Sequence, residues 1–275
     1  MKKVCLGLLG VCMAMGFSLG TAAQEHSGAM MTPPKVLTVT REFLKPGKNG
    51  TPHDKTESAF VAAMSDAKWP TYYLGLDSLS GKVRSIFLTG YDSFEGWEKD
   101  MHAQQKNPKL AVALDRAYAD DAPLLDSVDQ SAWMFREDYS YRPTTDMGSA
   151  RMMDIEVFHL KPGHEGDWDA IVKLVKGAYA KGLEGRWDMF QLIYGGGPAY
   201  VAITPAKSFA EIDRFYGAGK KFEEAMGAEG LRKLGELTAA AVESTDTNLF
   251  VINPKMSYVP DEVAKSAPEF WRPKE

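Results

Sequence analysis

The chain is 275 residues long, and its 37 Asp and Glu outnumber its 32 Lys and Arg, for a formal net charge of −5. Basic residues that are outnumbered and scattered exclude binding to nucleic acid by phosphate neutralisation. The 44% hydrophobic content over this length supplies a core, and both cysteines, Cys5 and Cys12, fall near the start, so the rest of the chain holds no disulfide, thiolate ligand or Cys nucleophile.

Met1-Lys2-Lys3, an apolar run from Val4 to Leu19 and the small residues Thr21-Ala22-Ala23 have the layout of a signal peptide, predicted at 1–23. The run is interrupted by Gly7, Gly10 and Gly16 and is short for a retained membrane span. A lipoprotein start at Cys12 is a poor fit with Val11 before it. The expected location is periplasmic or secreted, with no membrane contact after cleavage. Loss of Lys2 and Lys3 would move the formal charge from −5 to −7. Residues 24–34 read as a flexible lead-in.

A first domain is expected over 35–143. Val36 to Phe43 is rich in β-branched residues and reads as a strand, ended by Pro46-Gly47. Thr56 to Ala67 carries Phe60, Ala63, Met64 and Ala67 at helical spacing. Tyr72–Leu76 and Val83–Leu88 form a predicted hairpin about Ser80-Gly81. Asp92 with Glu95 suggests a capping box before Phe94, Trp97 and Met101. A further helix is predicted from Pro108 to Val128, and an aromatic strand from Ala132 to Tyr141.

Residues 144–150 are polar and small and read as a linker. A second domain over 151–260 repeats the order. Met152–Leu160 is a strand, Trp168, Ile171, Val172, Val175 and Tyr179 mark a helix stripe, and Trp187–Tyr194 with Ala199–Thr204 flank the turn Gly195-Gly196-Gly197. Ser208 and Glu211 open a helix, Leu231 to Ala241 mark another, and Asn248–Asn253 is the last strand. The tail, 261–275, carries Phe270 and Trp271, predicted to dock on the body.

The two stretches are related by a nearly constant offset. Leu-Lys-Pro-Gly at 44–47 recurs at 160–163, an offset of 116, Phe94 to Phe209 is 115, and Tyr141 to Tyr258 is 117. Such regularity predicts two homologous halves. Each reads β-α-β-β-α-(α)-β, the split βαβ or ferredoxin-like pattern. The strands are apolar on both faces, so the expected fold class is α+β: two tandem ferredoxin-like halves packed sheet to sheet, closed or nearly so, with helices outside.

Asp154-Ile155-Glu156-Val157-Phe158-His159-Leu160-Lys161-Pro162-Gly163, with the acidic helix start that follows, resembles the opening of NIPSNAP-like and antibiotic-biosynthesis-monooxygenase-like domains of the dimeric α+β barrel superfamily. The resemblance implies two domains packed as a pseudo-dimeric barrel, some with a ligand between them. Members range from cofactor-free oxygenases to haem enzymes, so it implies fold more than activity. The chlorite-dismutase-like relatives hold haem through a helix histidine, which the second half lacks.

His159 stands where the first half has Phe43, and strict alternation puts it on one strand face with Ile155 and Val157, matching Val39, Arg41 and Phe43. This Arg41/His159 face is expected to line the interior. The candidate ligand-binding residues are Arg41, His159, Arg136 and Glu156. His159 and His164 with Glu156 and Glu165 lack a third convergent ligand, so no metal site is expected, and His53 and His102 read as solvent-facing. Gly195-Gly196-Gly197 joins two strands and is no phosphate loop; neither a Walker motif nor a Gly-x-Ser-x-Gly elbow is present. The expected function is binding of a small apolar or aromatic molecule between the halves, without a cofactor. One alternative is a cofactor-independent oxygenase or isomerase with His159 as base; another is a structural or partner-binding module. A monomer is expected, with a homodimer as the alternative.

Overall fold

The computed structural model describes residues 30–143 and 145–272; the expected signal peptide and most of the lead-in lie outside them. Eight antiparallel strands close into one barrel: β2 (Val36–Leu44), β3 (Tyr73–Ser78), β4 (Arg84–Tyr91), β5 (Leu125–Phe135), β7 (Met152–Leu160), β8 (Asp188–Tyr194), β9 (Ala199–Ala206) and β10 (Val242–Ile252). Their order around the barrel is β10-β3-β4-β2-β5-β8-β9-β7. A two-stranded ribbon of β1 (Met30–Met31) and β6 (Thr145–Asp146) lies apart from it.

Closure comes from edge pairing. Strands β3, β4, β2 and β5 are neighbours, as are β8, β9, β7 and β10. β5 then pairs with β8 through Trp133↔Leu192, and β10 with β3 through Ile252↔Leu76. Joining the free edges removes the unpaired backbone groups that an open sheet would present. Eight strands leave a bore that side chains can fill. Leu37, Leu76, Ile155, Phe190, Val201 and Ile252 do so in one buried cluster.

Helices α1 (Thr51–Asp66), α2 (Phe94–Gln105) and α3 (Pro108–Asp121) follow strands of the first four-strand set, and α4 (Glu165–Tyr179), α5 (Phe209–Gly217) and α6 (Gly219–Ala241) follow those of the second. α1 and α3 pack through Phe60, Ala63, Leu110, Leu114 and Ala117. α4 and α6 cover Phe158, Leu160, Tyr200 and Ala202 on the outer face of the second set. The short helices α7 (Asp261–Ser266) and α8 (Pro268–Trp271) bring Val263, Ala264 and Trp271 into the barrel-interior cluster, and Met147 and Ala150 join them.

Four predicted elements and one helix cap are corrected. α1 begins at Thr51 rather than Thr56, with Pro52 in its first turn, where the missing N–H costs nothing. Its added turn was hidden because the one residue it buries, His53, is polar. β5 begins at Leu125 and ends at Phe135, so the helix predicted to Val128 stops at Asp121, just before Pro123, and residues 136–141 form a loop. β10 likewise starts at Val242, six residues before the predicted start. Asp126–Gln130, polar but for Val128, and Glu243–Thr247 are exposed, so no alternation of burial marks them, yet their backbones pair along β2 and β7. The cap of α2 is Ser93, which accepts from the Gly96 N–H, rather than Asp92.

Candidate functional site

Where β2, β4, β7, β8 and β9 end together, the interior side chains leave a cavity of about 510 Å³. Leu37, Leu74, Leu88, Met153, Phe190 and Ile203 line it, with Tyr91 at the end of β4 and Tyr258 and Val263 from beyond β10. Pro34 is seated against Gly90, where a Cβ would meet the proline ring at 2.8 Å. Asp188 stands among the apolar lining residues, opposite Ile203 in the β8–β9 ladder and so on the inward face of its strand. Burial pushes its carboxyl up to about 6, against a smaller downward pull from Arg186. A carboxylic acid that titrates near neutrality inside an apolar cavity can accept or donate a proton there.

The opposite end of the barrel is polar. Arg41 is inward-facing, in register with Ile86 and Asp129, and its Nε donates to Asp129. His159 lies in register with Ala199 and Ser244, and its Nε2 is 3.2 Å from Asp246 Oδ2. The expected Arg41/His159 face therefore does line the barrel side, but both residues sit at its partly exposed rim, each held by its own aspartate. Arg84 lies between them, its guanidinium 5.0 Å from the Phe250 ring centroid. Burial lowers the Arg84 pKa, and the charge of Arg41 lowers it further.

The other two candidates join neither group. Arg136 follows β5, makes a two-pronged pair with Asp138, donates to Gln191 Oε1 at 2.8 Å and lies 3.9 Å over the Tyr139 ring. The Asp138 pairing raises its pKa. Glu156 is on the outer face of β7, one residue out of phase with His159, and accepts from Thr247 at 3.2 Å. Burial, and then the charge of Asp154, push it up to about 8.

A constellation absent from the sequence expectations lies under α1 and α3 on the outer face of the first strand set. His53, read above as solvent-facing, is 1% exposed. Its Nε2 is 3.1 Å from Glu42 Oε2, 3.5 Å from Asp121 Oδ1 and 3.8 Å from Glu57 Oε1. Burial pulls the His53 imidazolium down, but the hydrogen bond to Glu42 and the charges of Asp121 and Glu42 outweigh it, leaving the pKa raised. Burial, and then Glu42 and Asp121, push the Glu57 carboxyl up to about 10. Close by, burial and then the charge of Glu57 raise the pKa of Tyr73, whose hydroxyl makes no hydrogen bond among the described residues. A signal was present: His53, Glu57, Phe60 and Met64 form one helical stripe, which continues the apolar face into two polar residues.

No protein-family model and no curated protein sequence matches the chain. Among solved structures it resembles a monooxygenase-like protein from Fusobacterium nucleatum, with 11% identity, a TM-score of 0.51, and coverage of 81% of this chain and 94% of that one. It also resembles an anthrone oxidase-like protein, with 15% identity, a TM-score of 0.52, and coverage of 82% and 94%. These likenesses show a fold like that of the dimeric α+β barrel proteins.

Proposed function

We propose that the chain is a duplicated pair of ferredoxin-like halves that binds a small apolar or aromatic molecule in the cavity at the Asp188 end of its barrel. The cavity carries this reading: about 510 Å³ falls in the usual range for small-molecule sites, roughly 300–1,000 Å³. Its lining combines aliphatic and aromatic side chains with the inward-facing Asp188 carboxyl, able to orient a hydroxyl or carbonyl. The repeated strand order supports the duplication, and the apolar leader at 1–23 supports export. The barrel closed within one chain supports a monomer. The narrower likeness to NIPSNAP-like domains remains part of this proposal.

Native mass spectrometry and calorimetric titration with quinones and aromatic acids test the site. The expected result is one ligand per chain, lost when Ile203→Trp fills the cavity in a chain that remains folded. Equal binding by Ile203→Trp, or no binding across the panel, overturns the proposal.

A second reading, a cofactor-independent oxygenase or isomerase, is favoured by one observation: Asp188, rather than the rim residue His159, stands in the cavity. As carboxylate, Asp188 would take a proton from an activated C–H or O–H of the ligand, leaving a carbanion or phenolate. In an oxygenase, dioxygen would be the oxidant. Turnover of a bound phenol or anthrone that survives Asp188→Asn removes this reading without touching the first.

A further inference from the structure

We propose that Glu42, His53, Glu57 and Asp121 form a binding site for one divalent transition-metal cation, of the Zn²⁺, Mn²⁺ or Fe²⁺ class, separate from the barrel cavity. One donor atom from each of the four residues lies within 4.8 Å of all the others. A cation about 2.0–2.2 Å from each donor holds ligand atoms about 3 Å apart when they are at right angles and about 4.2 Å apart when they are opposite. The four side chains close on such an ion by shifts smaller than a bond length. One imidazole with carboxylate oxygens suits the borderline and hard divalent ions rather than copper(I), which selects thiolates and thioethers.

The burial is what calls for a cation. Glu42, His53, Glu57 and Asp121 are all buried, at 7%, 1%, 4% and 2% exposure. Three carboxyl groups out of water share a single imidazole as their cationic partner among the described residues, and buried carboxylates are costly unless paired or bound to metal. Glu57 Oε1 is directed at the cluster, 3.8 Å from His53 Nε2, and accepts no hydrogen bond among the described residues. That oxygen, buried and without a hydrogen bond, is placed to serve as a ligand.

The surroundings fix the histidine in the ligating orientation. Ser85 Oγ donates to Asp77 Oδ1 at 2.6 Å, so its lone pair faces His53 Nδ1 at 3.3 Å. An Nδ1–H donated to Ser85 leaves the lone pair on Nε2, toward the three carboxylates. This is the outer-shell arrangement that metal-bound histidines need. Asp77 is itself held by Asn253 at 2.8 Å, and Thr56 donates to Asp121 at 2.6 Å.

A purely structural role explains the cluster poorly, because the fold solves the same problem with apolar residues elsewhere. Glu42 pairs with Ser85 across β2 and β4. At the corresponding register of β7 and β9, Phe158 pairs with Tyr200, and Trp168 packs on both at 4.8 and 5.2 Å. Replacing a buried ionic group by packed apolar side chains is commonly neutral or stabilising, so stability alone does not account for four ionisable groups here.

The test uses the chelator-treated full chain, titrated calorimetrically with Zn²⁺ and Mn²⁺, with the visible spectrum of Co²⁺ as a second readout. The expected result is one ion per chain, a melting midpoint that rises with cation, at least a tenfold loss of affinity in Glu57→Gln, and no change in Glu229→Gln on the exposed face of α6. If Glu57→Gln does not fold, Ser85→Ala serves; it leaves all four ligands in place and should weaken binding about tenfold by freeing the histidine. A folded wild type that binds none of the three ions below millimolar concentration overturns the proposal. Undiminished binding by Glu57→Gln does the same.

Discussion

Replacing Asp188 by Asn tests whether the cavity is the dry, apolar space that the proposed function requires. In the folded chain the carboxyl titrates at about 6, against an ordinary 3.8. The folded state therefore holds a proton that the unfolded state has released. Stability from this group is complete below about 3.8 and is lost as pH rises through about 6. At about 1.36 kcal/mol per pH unit, the ionised acid costs the fold about 3 kcal/mol above that range. Asn carries no charge, so the variant should match the wild type at pH 3 and exceed it by up to about 3 kcal/mol at pH 7.5. For a chain of this length that is a rise in melting midpoint of roughly 6–12 °C. Urea denaturation of both proteins at both pH values measures it. Asp154, held up at about 6, and Glu156, at about 8, also titrate nearby, but they are present in both proteins and cancel in the difference. An equal difference at the two pH values would show that Asp188 is hydrated, and the argument for a cavity that excludes water would fail with it.

Four further outcomes follow from packing and pairing. Phe158→Ala, at a residue 1% exposed and 4.8 Å from the Trp168 ring, should cost about 3–5 kcal/mol in chemical denaturation. Gly75→Ala would bring a Cβ to 2.5 Å from the Met256 carbonyl oxygen, a backbone atom with no room to give, and should cost about 1–3 kcal/mol. Gly177→Ala, on the exposed face of α4 with nothing within 4 Å, should gain about 0.5–1 kcal/mol, so paired melts of the two variants separate crowding from chain entropy. Asp129→Asn breaks the Arg41 pair at the partly exposed barrel rim and should change stability by less than about 1 kcal/mol, the more so in high salt.

Element order was legible because the patterns that set it are local. Leu37, Val39, Ile155 and Val157 are apolar at alternate positions, and each Pro-Gly pair stops a strand whatever its surroundings. Trp168, Ile171, Val172 and Val175 mark one side of α4, and all four are buried. The polar halves of β5 and β10 were not legible, because a strand held by its neighbours' backbones needs no alternation of its own. The site was harder still. Arg41 and His159 share the face that alternation assigned them, but how far along the bore each lies depends on where the barrel ends. Glu156, one residue out of phase, faces the helices instead, and Arg136 lies beyond its strand.

Glu42, His53, Glu57 and Asp121 lie on a strand and two helices up to 79 positions apart in the chain, and each alone reads as an ordinary surface residue. Short-range chemistry, acting between neighbours in the chain, already determined the strands, the turns and most helix faces, and with them the need to cover two apolar sheet surfaces. Which polar groups meet, and whether water reaches them, is set by distances between segments far apart in the chain. Only the closing of β5 on β8 and of β10 on β3 decided that Asp188 stands in a greasy chamber, and only the seating of α1 and α3 decided that His53 meets three carboxylates out of water.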